Sequence, residues 1–175
     1  MSLALGTEIP QFDLPGVDGQ NHSLSDYDDA DALVLIQSCN HCPYVQAWED
    51  RMSAIARDYA GRGVRVVAVN SNDAERYPAD SFAEMRARAA ARAFAFDYLY
   101  DEPQAIARAL GAERTPEVFV FDRDRRLVYH GAIDDSREET GVRQQYLRDA
   151  LDAVLSGEDP PLAETPSLGC TVKWK

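Results

Sequence analysis

The string Ser38-Cys39-Asn40-His41-Cys42-Pro43 concentrates reactive side chains. Two thiols separated by two residues can both lie on the first turn of a helix, close enough to bridge. The apolar run of residues 32–38 before them has strand length. From Pro43 to Ala60, Val45, Trp48, Met52, Ile55 and Tyr59 recur at intervals of three and four. That is the stripe of an amphipathic helix, ended by Gly61 and Gly63. The thiols therefore stand where a strand gives way to a helix. A helix N-terminus offers unpaired N–H groups and partial positive charge, which lower the pKa of a thiol placed there. The expectation is an exposed, attacking Cys39 and a resolving Cys42 one turn deeper, which releases a mixed disulfide. His41 can hydrogen-bond the Cys39 thiolate or, when charged, attract it, which would make the disulfide more oxidising. The plainer reading of His41 is a solvated first-turn residue. Pro43 costs little, because first-turn N–H groups have no intrahelical partner.

Other uses of these cysteines need other partners. Structural zinc takes four ligands, usually from a second Cys or Cys/His pair. Here Cys170, His130 and His22 occur singly, so no metal is expected. Cys170 can return over the site to bond Cys39 or Cys42, pair between chains, or have no role.

The elements that must position the pair alternate. Residues 10–24 read as two short extended pieces around the turn Val17-Asp18-Gly19. Strands are expected at 32–38, 64–69 and 97–100, with helices at 43–60, 79–92 and 103–110. Residues 117–121 and 126–130 form a hairpin, and Val142 to Leu155 form a final helix. The fold class is α/β, a mixed central sheet with helices on both faces, an N-terminal β-hairpin extension and a C-terminal tail. One domain is expected over 1–157, with a tail over 158–175 that docks on it through Leu162, Leu168, Val172 and Trp174.

The 175 residues carry 30 Asp+Glu against 18 Lys+Arg, a formal charge of −12. That excludes functions built on phosphate-backbone contacts or anionic membranes, so neither nucleic acid nor membrane is an expected partner. The opening MSLALGTEIP has no basic stretch followed by a long apolar run, and the expected location is the cytoplasm. The only lysines are Lys173 and Lys175.

The strand–CxxC–helix unit, with Gly111 to Pro116 followed by EVFVFDRDRRLVYHG, resembles the thioredoxin fold over about residues 8–156. The resemblance implies a cis Pro116 facing the cysteines and a Thr115 backbone that holds a substrate strand. The lead-in GTEIPQFDLPGVDGQNHSLSDY is similar to that of the peroxiredoxin and alkyl-hydroperoxide-reductase/thiol-specific-antioxidant group. The CNHCPYV string and the tail from Gly169 to Trp174 resemble its peroxiredoxin-like redoxins. A peroxiredoxin places Thr or Ser three residues, and Pro seven, before its peroxidatic cysteine. Counting back from Cys42 gives Cys39 and Leu35, and from Cys39 gives Ile36 and Ala32. The buried Asp of thioredoxin is Leu33 here, which leaves the proton acceptor unassigned.

The expected function is thiol–disulfide exchange through Cys39 and Cys42, tuned by His41, on a protein or small-thiol substrate held at Thr115 and Pro116. A cellular thiol would be the reductant, with Cys170 as a possible third redox thiol and no cofactor required. The alternatives are a thiol peroxidase, or a non-catalytic module in which the cysteines hold a metal or act as a redox latch.

Overall fold

Seven successive buried residues, Ala32–Ser38, form the central strand β3 of the computed structural model, which describes residues 1–175. A strand buried on both faces needs a cover on each, and its side chains divide alternately between two cores. Ala32, Val34 and Ile36 pack with Trp48, Met52 and Ile55 and with Leu147 and Leu151. Leu33 and Leu35 face the other way, toward Ile106, Leu110, Phe12 and Tyr27.

The chain opens with the hairpin β1 (Asp13–Pro15) and β2 (Asn21–Ser23), whose turn uses Gly19 at φ +84°. After β3 come α1 (Pro43–Ala60), β4 (Val64–Asn70), α2 (Phe82–Ala91), β5 (Asp97–Tyr100) and α3 (Ala105–Leu110). Then follow β6 (Arg114–Thr115), β7 (Glu117–Phe121), β8 (Leu127–Gly131), α4 (Tyr146–Leu155) and β9 (Cys170–Thr171). The main sheet runs β5-β4-β3-β7-β8. β3 pairs parallel with β4 and antiparallel with β7, so the sheet is mixed. No helix is long and apolar enough to cross a membrane.

Three helix starts differ from the sequence reading, each for a local reason. α2 starts at Phe82 rather than near Ala79, because Ser81 caps it by accepting from the Glu84 N–H while residues 78–80 form a 3₁₀ turn. α3 starts at Ala105 rather than Pro103, because Gln104 is left-handed at φ 63°. α4 starts at Tyr146, since a 3₁₀ turn at Glu139–Gly141 leaves Val142 extended.

Candidate active site

The reactive string lies in the gap between β3 and α1, with Cys42 as the N-cap of the helix and Pro43 in its first turn. Three other segments converge on it: the turn around Asp80, the Thr115–Pro116 peptide, which is cis, and the tail strand β9.

Cys42 is bonded to Cys170, with Cα atoms 6.2 Å apart across a sequence separation of 128. Cys39 is the free thiol. This is one of the pairings left open for Cys170, and the burial of Cys39 differs from its expected exposure. The bonded pair is Cys42 with the tail, and Cys39 is 1% exposed rather than the surface thiol. The reason is packing: Cys39, Cys42 and Val45 form one buried cluster, against which Tyr44 and Cys170 lie. The Thr115 hydroxyl is 3.6 Å from the Cys39 sulfur, and the Thr115 carbonyl oxygen is 3.4 Å from that of Cys42.

The expected lowering of the Cys39 pKa is also reversed. Burial pushes the thiol up to about 11, and the negative Asp80 adds to the rise. The Thr115 hydroxyl and the backbone N–H groups of Cys42 and His41 favour the thiolate but do not offset burial. The helix terminus contributes what it should; desolvation is larger.

Asp80 organises this end of the site and was missed in the sequence. It is fully buried, and its Oδ1 accepts from the backbone N–H of Asn40 at 2.8 Å and of His41 at 3.2 Å. Its Oδ2 accepts from Asn72 Nδ2 at 2.9 Å and pairs with His41 Nδ1. His41 therefore turns its Nδ1 toward Asp80 while remaining partly exposed, and its ring stacks on Tyr77 at 5.7 Å. Asp80 lies about forty residues beyond the cysteines in an irregular turn, with no periodicity to mark it. Cys39, His41 and Asp80 place a sulfur, a ring nitrogen and a carboxylate oxygen within 4.8 Å of one another. Asp80 also accepts from the backbone N–H groups of Asn40 and His41 and from Asn72 Nδ2, so hydrogen bonds satisfy its buried carboxylate.

Thr115 pairs with Cys170, and Arg114 with Thr171, in a short antiparallel ladder. The backbone that the family resemblance assigns to a substrate strand thus carries the protein's own tail. Glu117 supports this edge from behind. Its Oε1 accepts from the N–H groups of Glu113 at 2.9 Å and Arg114 at 2.8 Å, and its Oε2 pairs with His130 at 2.6 Å. His130, a scattered residue in the sequence, is part of this support.

Comparison with known proteins places the chain. A hypothetical protein from Sinorhizobium meliloti 1021 is 42% identical, with a TM-score of 0.94 over 100% of this chain and 97% of that one. An uncharacterized conserved protein from Geobacillus kaustophilus is 43% identical, with a TM-score of 0.93 over 98% of this chain and 93% of that one. A putative thiol:disulfide interchange protein DsbE from Chlorobium tepidum is 27% identical, with a TM-score of 0.63 over 74% of this chain and 85% of that one. Comparison with curated proteins finds no match. The fold is thioredoxin-like, as the sequence resemblance implied. The AhpC/TSA family pattern matches residues 5–130, most of the chain, and the protein belongs to the AhpC/TSA family.

Proposed function

We propose that this protein is a thiol–disulfide oxidoreductase in which Cys42 exchanges disulfides with a partner and Cys39 resolves the bond. The observation that carries this reading is the Cys42–Cys170 disulfide with Cys39 left free in the same buried cluster. That arrangement has the form of a mixed disulfide, with the tail in the partner's place. Family membership and the likeness to a thiol:disulfide interchange protein support oxidoreductase chemistry.

In the reducing direction, the Cys42 thiolate attacks one sulfur of a partner disulfide. The Cys42–partner bond forms, the partner's S–S bond breaks, and a thiolate leaves. The Cys39 thiolate then attacks Cys42, forming Cys39–Cys42 and expelling the second partner thiolate. The partner has gained two electrons and the protein has lost two. A cellular thiol supplied in excess restores the dithiol by the same steps in reverse. Cys170 enters as an internal partner: Cys39 attack on Cys42 releases the tail thiolate and isomerises the disulfide without net oxidation.

Thiol mapping by alkylation and mass spectrometry across glutathione ratios tests this. Two thiols should disappear together and reversibly, and C39S/C170S, which keeps no second thiol to resolve the bond, should accumulate a mixed disulfide at Cys42. Exchange that persists in C42S would sink the assignment.

A thiol peroxidase is the second reading, favoured by one observation. The hydroxyl missing from the local motif is supplied from elsewhere in the chain, by Thr115 at 3.6 Å from the Cys39 sulfur. The Cys39 thiolate would attack the peroxide oxygen and become a sulfenic acid as water or alcohol leaves. Condensation with the Cys42 thiol would then give the disulfide and water. Peroxide consumption with an external thiol, abolished in C39S, is the expected sign of this activity.

A further inference from the structure

The tail is held as a ligand is held, residue by residue. Cys170 lies opposite Thr115, and Val172 N–H donates to the Glu113 carbonyl at 3.0 Å, which extends the ladder one step. Gly169 packs directly on the Thr115 carbonyl; a Cβ there would collide with that oxygen and with the Thr115 carbonyl carbon. Both are backbone atoms of the edge that makes the ladder, so neither can swing aside as a side-chain end would. Val172 is buried in the core cluster that contains Leu110, Ala112 and Phe119, while Thr171 is exposed. Beyond it, Lys173 N–H donates to Asn72 Oδ1 at 2.9 Å, and its carbonyl accepts from Asp73 N–H at 2.8 Å. Lys173 and Lys175, the two lysines of a chain with a formal charge of −12, both follow this cysteine.

We propose that residues 169–173 are a built-in occupant of the exchange groove and that they define the partner it accepts. That partner is an extended polypeptide whose cysteine is preceded by glycine, followed two residues later by an aliphatic side chain, and then by a basic residue. Each position has its own cause. Glycine is required by the Thr115 carbonyl, the cysteine by the register opposite Thr115 that brings it to Cys42, the aliphatic residue by the buried seat of Val172, and the basic residue by the Tyr77 ring, over which the Lys173 ammonium lies at 5.9 Å. The tail closes the groove while Cys42–Cys170 is intact, so a partner enters after Cys39 has displaced Cys170 or an external thiol has reduced the bond. This inference rests on the exchange reading above and adds the partner class to it.

The test uses the full-length C170S protein, reduced, in which the serine tail competes equally in every arm. The probe is a synthetic peptide with the sequence of residues 167–175, its cysteine activated as a thiopyridyl disulfide. Attack by Cys42 on the peptide sulfur forms the Cys42–peptide bond and releases thiopyridone, which is followed by absorbance. Two control peptides carry alanine for the glycine and aspartate for the valine. Each control should react about tenfold more slowly, the factor set by 1.4 kcal/mol of lost fit. Equal rates for the three peptides would overturn the proposal. Oxidised glutathione separates the two levels: protein that exchanges with it but does not discriminate among the peptides loses only the partner class. Protein inert to every probe loses the exchange reading and this inference together. A second variant, G169A in the otherwise unchanged chain, keeps all three cysteines. It should hold less Cys42–Cys170 disulfide than the parent at the same glutathione ratio; an equal fraction would show that the glycine seat does not matter.

Discussion

At Cys39, burial, a neighbouring carboxylate and a helix terminus act on one sulfur, and the first two prevail. With the thiol pushed up to about 11, its thiolate fraction is small at neutral pH and grows with pH. Resolution by Cys39 should therefore quicken about tenfold for each pH unit, levelling off near the thiol's own titration. In the Cys42–Cys170 form Cys39 is the free thiol, so the pH dependence of its alkylation rate, read by mass spectrometry, reports it alone. D80N removes the carboxylate charge and keeps the shape; the titration should move down yet stay above an ordinary thiol, because burial remains. An unmoved titration would remove Asp80 from the account. The same shift bears on stability. Between the ordinary thiol value of 9.0 and about 11, the unfolded chain loses a proton that the folded one keeps. Folding stability contributed by Cys39 is therefore present below that window and lost as pH rises through it.

The elements that present the site are tied by buried charges, and each tie gives a prediction. Glu117 and His130 join β7 to β8, while the same carboxylate accepts two N–H groups from the segment leading into β6. E117A leaves those donors and the imidazole without their acceptor, and a loss of about 3 kcal/mol is expected in denaturant unfolding. The β6–β9 ladder should loosen as well, seen as faster amide exchange at Val172, whose N–H bonds Glu113. Asp101 plays the corresponding part for α3, accepting the N–H groups of Ala105, Ile106 and Ala107 at 3.0–3.2 Å. D101A should cost about 2 kcal/mol, at the upper end for a cap because the carboxylate is buried. That these elements exist was legible in residue periodicity. Their first residues were less so: Ser81 caps α2 through its side chain, a signal carried by its spacing to Glu84, whereas Gln104 and the turn before Val142 act through backbone geometry that side-chain patterning does not encode.

Across the whole molecule, the tail staples β8 to the reactive turn. Besides the Cys42–Cys170 bond, residues 163–165 exchange backbone hydrogen bonds with His130, and Thr165 Oγ1 lies 2.6 Å from the Tyr129 hydroxyl. Closing a loop across 128 residues confers roughly 4–5 kcal/mol in the chain-entropy account. Reduction should lower the denaturant midpoint accordingly and raise hydrogen exchange first in the tail; a midpoint unchanged by reduction would mean that the bond restrains little. The sequence by itself determined the alternation of strands and helices, the thioredoxin-like fold and the placement of Cys39 and Cys42 at a strand–helix junction. The alternation and the placement follow from local periodicity and spacing, and the thioredoxin-like fold from the resemblance carried by the CxxC unit and the segment from Gly111 to Pro116. Only the tertiary structure decided that Cys42 bonds Cys170, that Asp80 claims His41, and that the Cys39 thiol is raised rather than lowered. Those outcomes depend on burial and on partners 39 to 128 residues away in the chain, which no local pattern records.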